Sequence, residues 1–134
     1  MSNEQTAPSD VVIIILSLLG EGKNIPSSSS NNFLHDRFYE LSQSFPALFQ
    51  DYVFNISSIY PRRETIEIAI NRITKFGLVE WRSEGNYIVL PALVSKGKKL
   101  MELFSATDRI KLSKAAEKFA KMTEDYYKKC NCER

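Results

Sequence analysis

Histidine and cysteine are nearly absent. His35 stands alone, and the two cysteines, Cys130 and Cys132, fall in the last five of 134 residues. A lone Cys-x-Cys lacks the second ligand pair of a zinc site, and a disulfide closing so small a loop is strained. His35 has no Cys, Asp or Ser in the spacing of a triad or metal centre, Asp36 being merely adjacent, and it reads as a surface or boundary histidine. There is no glycine-rich phosphate loop and no carboxylate pair of catalytic spacing. No catalytic residue, metal ligand or cofactor is therefore expected, and the chain does not read as an enzyme. The longest apolar run, Val11 to Leu19, is interrupted by Ser17 and falls far short of the ~20 residues that span a bilayer. Glu4 and Asp10 precede it where a secretion signal carries positive charge. The expectation is a cytoplasmic protein with no membrane partner.

What is present is ordinary for a globular chain: 43% hydrophobic and 25% charged residues. A chain of this length buries roughly two-thirds of its unfolded surface, enough for a core without staples. The net charge of +2 hides an asymmetry: residues 1–60 sum to −4 and residues 61–134 to +6. Such a split suits a surface facing a polyanion, and equally a solvated helix face.

Hydrophobic spacing predicts mostly helix. Residues 1–8 are polar and read as a flexible terminus. Ser9 or Asp10 is placed to cap a helix through Val11–Leu19 that stops at Gly20 and, being apolar on every side, lies in the middle of the fold. Residues 21–32 read as a linker. Asn32 then caps a helix over 33–44 with Leu34, Phe38, Leu41 and Phe45 on one stripe. Pro46 opens a short helix bearing Leu48, Phe49, Tyr52 and Val53, and Asn55–Tyr60 is a loop. Pro61 opens the clearest helix, with Ile66, Ala69, Ile70 and Ile73 on one side and Phe76-Gly77 as its stop. The period then changes to two: Leu78–Arg82 and Tyr87–Leu90 read as strands around a Ser83–Asn86 turn, with Trp81 in the core or at the hairpin's base. Pro91 ends the hairpin, Ser95 caps a helix carrying Leu100, Leu103 and Phe104, and Ser105 with Asp108 opens a last helix.

The order Ala69-Ile70-Asn71-Arg72-Ile73-Thr74-Lys75-Phe76-Gly77-Leu78-Val79, hairpin, Val94-Ser95-Lys96-Gly97-Lys98-Lys99-Leu100 resembles the second half of winged helix-turn-helix domains in the MarR and PadR families of transcription regulators. The likeness covers residues 62–104. The longer helical front half and the Tyr60-Pro61 turn are instead similar in layout to Panacea-type, antitoxin-like winged helices. The resemblance implies an α+β fold, mainly α with a small β-hairpin. It would comprise a winged-helix domain over 9–104 with an extra helix in its front half, a long C-terminal helix over 105–129 and a flexible tail over 130–134.

It further implies a dimeric regulator that binds double-stranded DNA, with the helix before the hairpin in the major groove and the hairpin on the adjacent backbone. The groove-facing side then holds Glu64, Glu67, Ile68, Asn71 and Lys75. The residues implied to touch DNA are Arg62, Arg63, Asn71, Arg72, Lys75 and Arg82, with Asn71 placed to pair with adenine. Along the last helix Leu112, Ala115, Ala116, Phe119, Met122 and Tyr126 form an apolar seam, implied to pair with a second copy in a homodimer. Lys111, Lys114, Lys118 and Lys121 line another face. The alternative is a winged helix that contacts a protein partner without DNA, favoured by Glu64 and Glu67 on the outward face.

Overall fold

The computed structural model describes residues 8–26, 33–46, 48, 63–82 and 86–132. Within them the elements run α1 (Pro8–Ser17), β1 (Asn24–Pro26), α2 (Phe33–Ser44), α3 (Arg63–Lys75), β2 (Val79–Arg82), β3 (Asn86–Val89), α4 (Pro91–Met101) and α5 (Ala106–Cys132). The result is mainly helical with a small antiparallel sheet, an α+β arrangement. The short helix expected after Pro46 falls largely outside the described residues, as do Pro61 and the hairpin tip at 83–85.

The apolar run becomes the centre of the molecule. Every residue of α1 from Ser9 to Ser17 is buried, because helices pack on all its sides: α3, α4 and α5 each contact it. Ser9 and Asp10 do not act as caps. The helix begins at Pro8, which places both inside the first turn, and their side chains reach across to α3. The helix ends in a turn where Gly20 takes φ 105°, a left-handed conformation that suits glycine.

The stripes of α2 and α3 turn inward as their spacing predicts. Leu34, Phe38 and Leu41 of α2 are fully buried, as are Ala69 and Ile73 of α3. α3 closes in a Schellman motif: Leu78 N–H donates to Ile73 O at 2.8 Å and Gly77 N–H to Thr74 O at 3.2 Å, with Gly77 at φ 67°. That turn aims the chain directly into β2.

The sheet has a third strand that the sequence pattern conceals. β1 pairs antiparallel with β3, Asn24 opposite Ile88 and Pro26 opposite Asn86, giving the order β1-β3-β2. The expected linker thus sews the front of the chain to the hairpin, and Asn86 Nδ2 donates to Asn24 Oδ1 at 2.5 Å. Asn86 itself belongs to β3, opposite Arg82, rather than to the turn.

α4 begins five residues earlier than a cap at Ser95 suggests. Pro91 occupies its first turn, where a fixed φ is already helical and the missing N–H needs no partner, so Ser95 lies inside the helix. Gly97 marks the crossing of α4 and α1. A Cβ there would overlap Ser17 Oγ and come within 2.5 Å of Ser17 Cβ, so the helices meet at backbone distance. Ser17 Oγ, buried at this crossing, donates to Ile14 O at 2.7 Å.

α5 starts as expected, with Ser105 Oγ accepting from Asp108 N–H at 3.1 Å. It continues to Cys132, past the Lys129 at which the sequence pattern ended it. Its seam is filled from within the chain. Leu112, Ala115 and Phe119 are fully buried, Ala116 nearly so, and Met122 and Tyr126 pack against the same core. The Phe38 and Phe119 rings lie 5.0 Å apart, and α5 contacts both α1 and α2. The expected dimer seam is therefore corrected to intramolecular core. Periodicity shows that a helix has an apolar side but not which element covers it.

Candidate nucleic-acid interface

The outward side of α3 follows from its inward one. With Ala69, Ile70 and Ile73 committed to the core, a period of 3.6 leaves Glu67, Ile68, Asn71, Thr74 and Lys75 exposed. Ile68 is 52% exposed, which is high for isoleucine in the middle of a helix. Thr74 Oγ1 is turned back onto the helix, donating toward Ile70 O at 2.9 Å and Asn71 O at 3.1 Å. Asn71 and Lys75 have no side-chain hydrogen bond or ion pair among the described residues. Arg62 and the side chain of Arg63 lie outside the described residues, as do the side chains of Glu64 and Ile66.

Arg72 does not belong to this surface. Its Nη1 donates to Asp10 Oδ1 at 2.7 Å and to Ser9 Oγ at 2.8 Å, joining α3 to the start of α1. Asp10 is only 4% exposed, so the pair is held where water screens it weakly. Arg72 is a structural clamp, and its expected place among the DNA contacts is corrected accordingly. The partner lies 62 positions away, and no local motif announces it.

The hairpin presents two different faces. Val79 and Val89 oppose each other and are buried, and alternation puts Trp81 and Tyr87 on the same side further out. Trp81 is 53% exposed and meets Tyr87 edge to face, with ring centroids 5.1 Å apart. It is neither core nor a purely basal residue; it is the aromatic surface of the hairpin. Burial pushes the Tyr87 phenol above its usual pKa. On the other face Arg82 Nε lies 3.9 Å from Glu80 Oε2, both side chains half exposed, a pair worth little in energy.

Behind α3 an open cavity of about 260 Å³ is lined by Ile13, Arg72, Phe76, Leu78 and Lys96. Phe76, at 69% exposure, forms its outer lip. Among the described residues no three His, Cys, Asp or Glu side chains gather as a metal site requires, and no helix is long and apolar enough to cross a membrane.

The structure thus brings Asn71 and Lys75 together on one exposed face, separates Arg72 from them and leaves Arg82 across the hairpin. Sequence reasoning overlooked the exposed Thr74, Trp81 and Phe76. Trp81 was recoverable, since it shares the strand alternation of Val79 in a strand too short to bury both. No family model, curated protein or solved structure matches the chain.

Proposed function

We propose that the chain is a winged-helix protein that binds double-stranded DNA and acts as a transcriptional regulator. The observation that carries this reading is the passage from α3 through the Gly77 turn into a hairpin, with the polar face of α3 turned to solvent. A helix so placed can enter a major groove while the hairpin lies against the neighbouring backbone. Asn71 and Lys75 are the contacts from α3, the first to a base edge and the second to phosphate, and Arg82 is the contact from the hairpin. A homodimer suits the two-fold symmetry of operator half-sites, and it would pair through a surface other than the buried α5 seam.

Binding of a fluorescent duplex at low ionic strength, followed by titration with salt, tests this function. The chain should bind, and Asn71→Ala with Lys75→Ala should weaken it; absence of salt-sensitive duplex binding removes the proposal. The reading as a protein-contact module is supported by a different observation. The α3 face carries Glu67 and the exposed Ile68, while Arg72 is engaged by Asp10. Failure to bind any duplex, with loss of a purified stoichiometric partner on Ile68→Asp, selects that alternative.

A further inference from the structure

We propose that the solvent-facing side of α5 is a second surface for duplex DNA, where Lys111, Lys114 and Lys121 make sequence-independent contacts to the phosphate backbone.

Spacings of three, four and three put Lys111, Lys114, Lys118 and Lys121 within an arc of roughly 80° on the helix. Leu112, Ala115, Ala116 and Phe119, on another side of the helix, are fixed in the core, so this orientation is set by packing. Lys114 and Lys121 are exposed and Lys111 is partly so. Lys118 Nζ donates to Ser44 Oγ of α2 at 2.8 Å, which ties one edge of the stripe to the body of the protein.

The availability of these charges distinguishes them. Arg37, Arg72 and Arg82 each have a carboxylate neighbour, Glu40, Asp10 and Glu80 respectively. Among the described residues Lys111, Lys114 and Lys121 have no carboxylate partner. Glu117 borders the stripe and Asp125 lies beyond Lys121, which confines the positive stretch to residues 111–121 of the helix.

A backbone ligand fits this geometry better than other polyanions. From Lys111 to Lys121 the helix rises about 15 Å, slightly more than the ~12 Å width of a major groove, so the stripe can follow one phosphate wall or bridge two. Duplex DNA offers a charge about every 1.7 Å of axis, so every lysine finds a phosphate whatever the register. A membrane-surface helix needs an apolar face for the bilayer, and that face of α5 is buried in its own core. Single strands are gripped by stacking on exposed aromatics, and on this helix Phe119 is buried while the half-buried Tyr126 and Tyr127 fall outside the arc of the lysines.

The test is a salt titration of the full-length chain with a short duplex of scrambled sequence. The triple variant Lys111→Gln, Lys114→Gln, Lys121→Gln keeps helix propensity and removes three charges. It should flatten the slope of log K against log salt by about 2.7 and weaken low-salt binding about tenfold or more. The matching Lys→Arg triple should retain the parent slope, and unchanged circular dichroism of both triples shows that the fold is kept. A Gln triple that binds like the parent overturns the proposal. If Asn71→Ala with Lys75→Ala then abolishes binding, the α3 reading stands alone. If the Gln triple loses binding while the α3 double keeps it, the α5 surface stands and the α3 reading falls. A parent that binds no duplex overturns both, and one that instead binds phosphatidylserine vesicles or single strands replaces duplex DNA with that ligand.

Discussion

α3 and α5 divide the work of a surface helix in opposite ways. α3 directs its best cation inward, where Arg72 holds Asp10 and Ser9 of α1, and presents outward a face on which Glu67 offsets Lys75. α5 directs Leu112, Ala115, Ala116 and Phe119 inward and leaves Lys114 and Lys121 in water. Net charge on a segment is thus a poor guide to the charge a ligand meets. What matters is which cations the fold has already engaged.

Three substitutions test that contrast, and the largest effect belongs to the inner side of α5. Phe119→Ala should lower unfolding free energy by about 4 kcal/mol, because it empties a site packed on Phe38. Urea midpoints at two protein concentrations check the assignment: the loss should be the same at both, whereas a residue in an interface between copies gives a concentration-dependent one. Arg72→Ala comes next, at about 2 kcal/mol, since it removes a charge-assisted contact to the buried Asp10. Its cost combined with Asp10→Asn should be less than additive, and its duplex affinity in a salt titration should match the parent. An Arg72→Ala chain of unchanged stability and weakened DNA binding would return Arg72 to the α3 surface. The smallest effect belongs to the outer face of α3, where Ile68→Ser should change the midpoint by no more than the equivalent of about 0.5 kcal/mol.

Much of the fold was legible because its signals are local. The all-round apolar run marked α1 as central, Gly77 marked the passage from helix to strand, and Ser105 marked the start of α5. The errors share a cause, which is that the deciding partner is distant. β1 is three residues long, includes a proline and is a strand only because β3 pairs with it. Arg72 looked like a groove contact until Asp10 was placed beside it. The α5 seam was correctly read as apolar, but whether α1 and α2 or another copy covers it depends on tertiary packing. Of the candidate DNA contacts, exposure at Asn71, Lys75 and Arg82 followed from helix and strand periodicity. The engagement of Arg72 did not.

The order β1-β3-β2 has a consequence for how the hairpin meets other molecules. β3 is saturated on both sides, leaving two open edges, each a potential template for a foreign strand. β1 blunts its edge by brevity and by Pro26, which lacks an N–H to offer. β2, the other edge, is four residues long and carries Glu80 and Arg82 on one face. Neither edge invites strand addition, so the hairpin is open to partners through its side chains and closed to polymerisation through its backbone.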